Sequence, residues 1–140
     1  MKRIITLCAV ALIAVGSIFA QAEASNGGTE ALNSYTDTST QYLNWEDKYA
    51  DFHPKAKSVQ IQIEYTPFDG TVRVFYTCMA ASYDQGEAMN TVDAVLEDFQ
   101  EQNKFRNKPT FVKKDRTKYF KDGRDLRMAT FRRWVQYNVK

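Results

Sequence analysis

Two Asp-Gly pairs, Asp69-Gly70 and Asp122-Gly123, each stand between stretches of β-forming residues. Such a pair suits a two-residue type I′ turn, whose central residues both need positive φ, and it is a strong short-range signal of an antiparallel hairpin. The first pair sits in SVQIQIEYTPFDGTVRVFYTCMA, residues 58–80. A two-residue turn there pairs Tyr65 with Val74, Ile63 with Tyr76, Ile61 with Cys78 and Val59 with Ala80, all on one apolar face. Gln60, Gln62, Glu64 and Thr66 fall on the other face, opposite Met79, Thr77, Phe75 and Arg73. This register makes Cys78 a buried packing residue rather than a reactive thiol.

The second pair sits in KYFKDGRDLRMATFRRW, residues 118–134. The same turn pairs Tyr119 with Leu126, Thr117 with Met128 and Phe111 with Trp134. It also sets Lys118 opposite Arg127, with Lys114 and Arg116 on the same face. The alternation weakens near Ala129 to Phe131, which predicts a bulge there.

Two helices complete the pattern. Thr38-Ser39-Thr40-Gln41 fits a capping box, and Tyr42, Trp45, Tyr49 and Phe52 recur at spacings of 3, 4 and 3, so a helix is expected up to His53-Pro54. Asp84, with Glu87 three residues on, caps another, whose stripe is Ala88, Met89, Val92, Val95, Leu96 and Phe99. Pro109 forbids its continuation. The expected fold is α+β, a four-stranded antiparallel sheet from two DG-turn hairpins with both helices on one face (αββαββ). That order is a circular permutation of the ferredoxin-like βαββαβ layout, an analogy from which no function follows.

The amino terminus reads as a targeting segment. Lys2 and Arg3 precede an apolar run from Ile4 to Ala20, and Ala20, Ala22 and Ala24 supply small residues for cleavage. Residues 1–22 are thus expected to be a cleaved signal peptide, 23–37 a flexible leader and 38–140 one domain. The expected location is periplasmic or extracellular, with no transmembrane span in the mature chain. After cleavage Cys78 is the only cysteine, so no intrachain disulfide forms.

Charge is unevenly divided. Residues 21–100 carry 4 basic and 13 acidic side chains, whereas residues 101–140 carry 13 basic and 4 acidic. Such asymmetry points to polar partners or to mutual neutralisation of the two halves.

Catalytic equipment is sparse. The single histidine, His53, reads as an exposed helix end, and one histidine with one mature-chain cysteine excludes the usual zinc sites. There is no nucleophile elbow, phosphate-binding loop, dinucleotide fingerprint or acidic calcium loop. No cofactor is expected. The unusual surface is the last hairpin, where Lys114, Arg116, Lys118 and Arg127 share a face with Phe120 and Phe131 interleaved. Like charges directly opposite in a sheet oppose pairing by roughly 0.2–1 kcal/mol each, so their clustering suggests a use. The expected function is a non-enzymatic exported interaction domain that binds an acidic protein or an anionic envelope polymer through these six residues. Export and the absence of an RNA-binding signature argue against nucleic acid. The alternatives are a carboxylate-dependent envelope hydrolase and a structural protein self-associating through its oppositely charged halves.

Overall fold

In the computed structural model, which describes residues 38–139, the chain runs β1 (Gln41–Trp45), β2 (Gln60–Thr66), β3 (Thr71–Met79), α1 (Gln85–Asn103), β4 (Thr110–Lys121) and β5 (Arg127–Gln136). The expected signal peptide and leader lie outside the described residues. The strands form one antiparallel sheet in the order β1-β2-β3-β5-β4. The class is α+β, but the sheet has five strands, and α1 is the sole α-helix among the described residues. No helix among them is long and apolar enough to cross a membrane.

The helix expected over Thr38–Phe52 does not form. Gln41–Trp45 is an edge strand, with Leu43 opposite Ile63 and Trp45 opposite Ile61. Tyr42, on the other side, is 77% exposed. The 3-4-3 aromatic spacing mimics a helical stripe, yet aromatic residues also favour strands, and tertiary pairing with β2 decides the outcome. Thr40, instead of belonging to a capping box, joins its hydroxyl to that of Thr66 at 3.0 Å. Trp45 and Tyr49 still reach α1. The Trp45 ring lies 5.9 Å from that of Phe99, and the Tyr49 hydroxyl donates to Asp98 at 2.6 Å. Burial, with the Asp98 carboxylate beside it, pushes the Tyr49 hydroxyl up to about 12.

His53 is buried rather than exposed. Its Nδ1 meets the Ala56 carbonyl at 3.0 Å and its Nε2 meets Asp47 at 2.9 Å. The ring packs edge-on against Tyr76 of β3. Burial opposes a charged imidazole, but the bonds to Asp47 and Ala56 outweigh it, and the pKa rises above its ordinary value.

The first hairpin keeps its expected faces in a different register. Tyr65 faces Val72, Ile63 faces Val74 and Ile61 faces Tyr76, each two residues from the type I′ pairing. The loop is Pro67–Gly70, closed by the Gly70 amide donating to the Thr66 carbonyl at 3.0 Å. Of these residues only Gly70 has positive φ (+72°), so the DG pair ends a longer turn instead of forming the whole of it. A side chain at Gly70 would strike the Tyr137 carbonyl oxygen at 2.3 Å. Because the slip is even, Ile61, Ile63, Val72, Val74, Tyr76 and Cys78 all remain buried on one face. Burial also raises the Cys78 thiol pKa.

Helix α1 covers that face. Asp84 accepts from the Glu87 amide at 3.1 Å, as the cap requires. Ala88, Thr91, Val92, Val95, Leu96 and Phe99 are buried, whereas Met89, expected in the stripe, is exposed. Phe99, Phe105, Tyr65 and Tyr137 form an aromatic cluster at the helix's far end. The Tyr137 hydroxyl is satisfied by the Leu96 carbonyl at 2.9 Å.

The second hairpin departs further. Lys121 faces Arg127, Tyr119 faces Ala129 and Lys118 faces Thr130 around a five-residue loop, 122–126. The positive φ belongs to Asp125 rather than to Gly123. Asp122 organises the loop through its carboxylate, which accepts from the Arg124 and Leu126 amides at 2.9 and 3.0 Å. The slip from the type I′ pairing is three residues, an odd number, so β5 presents opposite faces to those expected relative to β4. The irregularities lie in β4, between Phe111 and Lys113 and between Lys113 and Arg116, not at Ala129–Phe131. The alternation of β5 is unbroken: Ala129, Phe131, Arg133 and Val135 point to α1 and are buried.

Arg133 accounts for the apparent loss of that alternation. It is 3% exposed, paired with Asp115 of β4 at 2.8 Å and with Asp93 of α1. Its guanidinium lies over the rings of Phe111 at 5.3 Å and Phe131 at 5.6 Å. Burial opposes its charge, and the two carboxylates more than restore it. The pairing ties the edge strand to the helix.

Candidate functional site

With α1 on one face, the other face of the sheet carries no helix among the described residues. Strand pairing arranges its side chains in cross-strand rows. One row reads Tyr42, Glu64, Arg73, Trp134 and Lys113; the next reads Asn44, Gln62, Phe75, Arg132 and Arg116. Beyond them come Gln60, Thr77, Thr130 and Lys118, and then Met79, Met128 and Phe120. The β1–β2 side is thus mostly amide and hydroxyl, and the β3–β5–β4 side is cationic and aromatic.

A concavity of about 570 Å³ opens on the cationic side, lined by Phe75, Arg116, Lys118, Tyr119, Phe120, Thr130 and Arg132. No lining residue is a carboxylate. Arg116 stands directly opposite Arg132. The Thr130 hydroxyl bonds to that of Thr77 at 2.9 Å, and the Arg132 Nε is enclosed without a hydrogen-bond partner. Beside the concavity, Trp134 is ringed by cations: Lys113 at 4.8 Å, Arg73 at 4.9 Å and Arg132 at 5.9 Å from its centroid. Arg73 also pairs with Glu64 at 3.3 Å.

Of the six residues expected to form the site, Arg116, Lys118 and Phe120 line this concavity. Lys114 is exposed within the irregular stretch of β4 and is not among the lining residues. Arg127 is turned to the helix side, opposite Lys121, with its guanidinium 5.1 Å from the Tyr119 centroid. Phe131 is fully buried against α1. The odd register slip explains both displacements. The expected Lys118–Arg127 opposition is replaced by two other like-charge pairs, Lys121–Arg127 and Arg116–Arg132. Sequence reasoning missed Phe75, Thr130 and Arg132 as neighbours of Arg116. Phe75 was legible as the one aromatic residue on the polar face of β3, whereas Arg132 required the correct register.

Among the described acids of residues 21–100, Glu64 meets Arg73 on this face, whereas the others with ion pairs hold partners elsewhere. Asp93 pairs with Arg133 behind the sheet, Asp98 with Lys48, and Asp84 with Lys55. Arg116, Lys118 and Arg132 have no ion pair among the described residues. Those residues also contain no group of three or more His, Cys, Asp or Glu side chains placed to hold a metal ion. No family model, curated protein or solved structure matches this chain.

Proposed function

We propose that this is an exported interaction domain whose sheet face opposite α1 binds an anionic envelope polymer. One observation carries the reading: three cations converge on a carboxylate-free concavity, while the acidic helix lies behind the sheet and reaches Arg133. Uncompensated charge with flat apolar neighbours suits a polyanion, since cations recognise its charged groups and Phe75 and Phe120 offer surfaces for the chain between them. A carboxylate-dependent hydrolase finds less support, because its paired acids have no counterpart in the lining.

The test is a combined Arg116→Gln, Lys118→Gln, Arg132→Gln variant on a heparin column, beside a Lys121→Gln, Arg127→Gln control from the helix side. The wild type and the control are expected to be retained at low salt and released as salt rises, because exposed charges are screened beyond about 10 Å at 0.1 M. The triple variant is expected to pass through with an unchanged unfolding midpoint. A stable triple variant retained like the wild type overturns the reading. Retention on immobilised polyglutamate but not on heparin transfers the site to an acidic protein.

A further inference from the structure

We infer that the Arg116–Arg132 pair is the seat of a phosphate monoester group, held as its dianion. This deepens the anion-binding reading and rests on it. Two guanidinium groups stand opposite each other on adjacent strands, where like charges disfavour pairing. Arg116 has no carboxylate partner among the described residues, and neither has Arg132. The neighbouring arginine, Arg133, shows how this fold treats an arginine that serves structure: it is enclosed and given two acids. Arg132, one residue away on the opposite face, is given none.

The number and kind of donors select the ligand. Two guanidinium forks and the Lys118 ammonium line one concavity. A carboxylate brings one charge and two oxygens to three cations. A phosphate monoester brings nearly two charges and three strong acceptor oxygens, one for each cationic group. The enclosed Nε of Arg132 leaves the outer nitrogens as the donors free to meet those oxygens. Phe75 forms an apolar shelf beside Arg132, and Phe120 lies beyond Lys118, so the ester's organic group has a surface to rest on.

A dianion also predicts a pH signature that belongs to the ligand. The second phosphate ionisation lies near pH 6, so affinity is expected to rise as pH passes from about 5 to about 7.5. The charged groups facing the site are Arg116 and Lys118 from β4, Arg132 from β5, and, from the adjoining row, Lys113 of β4 and Arg73 with its partner Glu64. His53 packs against Tyr76 on the helix side of the sheet and does not face it.

The experiment is calorimetric titration of the purified full chain with phenyl phosphate, inorganic phosphate, phenyl sulfate and benzoate at pH 5 and pH 7.5. Phenyl phosphate is expected to bind about tenfold or more tightly than phenyl sulfate or benzoate at pH 7.5, and to lose most of that margin at pH 5. Arg132→Gln and, separately, Arg116→Gln are each expected to weaken phenyl phosphate about tenfold and to flatten its pH response. Circular dichroism confirms that each variant is folded, and the exposed Arg116 position provides a second test if Arg132→Gln is not. Preference for phenyl phosphate over inorganic phosphate supports an ester resting on Phe75; equal affinity supports free phosphate as the source. Equal binding of phenyl phosphate, phenyl sulfate and benzoate, or binding unchanged in both variants, overturns the inference. If heparin retention nevertheless persists in the wild type and is lost in the triple variant, the polyanion reading stands while the phosphate assignment falls. If heparin retention is absent as well, both fall.

Discussion

The two hairpins share a turn dipeptide and differ in what their registers expose. Around Asp69-Gly70 the pairing sits two residues from the type I′ expectation; around Asp122-Gly123 it sits three away. Side chains in a strand alternate with a period of two, so the even slip leaves every face intact and the odd slip exchanges the faces of one strand relative to the other. In the first hairpin a wrong turn still gives the right core. In the second it carries Arg127 away from Lys118 and brings in Arg132. A site inferred from cross-strand neighbours is therefore only as good as the parity of the loop that joins them.

The largest expected effect tests whether the second hairpin is held by charge where the first is held by apolar packing. Arg133→Gln leaves Asp115 without its buried counter-charge and should cost about 3–5 kcal/mol in a denaturant titration. A loss below about 1 kcal/mol would erase that distinction. Next comes Gly70→Ala, which forces a left-handed backbone costing roughly 1–3 kcal/mol and adds a collision with the Tyr137 carbonyl. A smaller effect separates the hairpins by pH. The folded-state pKa of His53 is raised, so the stabilisation from its pair with Asp47 is fully present below the ordinary value of 6.5 and is lost as pH rises through the raised value. Thermal midpoints measured across that range should fall toward higher pH and lose this step in His53→Gln. The same step should survive in Arg132→Gln, whose site lies on the other face. The smallest effect completes the comparison: Gly123 has open space around it and no positive φ, so Gly123→Ala should change stability by no more than about 0.5 kcal/mol.

Legibility in the sequence followed the same division. The apolar face of the first hairpin, the Asp84 cap and the burial of Cys78 were readable, because each rests on local alternation or on a side chain three residues from its partner. The edge strand at Gln41–Trp45 was not, since five residues of aromatic-rich sequence satisfy a helical stripe as readily as a strand, and pairing with β2 settles the matter. Of the candidate site, Arg116, Lys118 and Phe120 were readable from the alternation of β4 alone. Arg132 was hidden by Arg133: a charged residue in an inward position makes a regular strand look as if its parity changes. Asp93 and Asp115, the acids that permit this burial, lie 40 and 18 residues from Arg133 and give no local signal.

The place of β5 in the sheet has a kinetic consequence. It is the last strand in sequence but an interior one in space, inserted between β3 and β4. The Tyr137 amide then closes the first loop by donating to the Gly70 carbonyl, 67 residues away along the chain. Helix and first hairpin can form early, yet the sheet cannot be completed until the far end of the chain has been threaded between its neighbours. Folding dominated by such distant contacts belongs to the slow regime, milliseconds to seconds rather than microseconds. Until that closure the cationic strands remain unpaired with the rest of the sheet, so the cationic concavity and the completed core come into being in the same step.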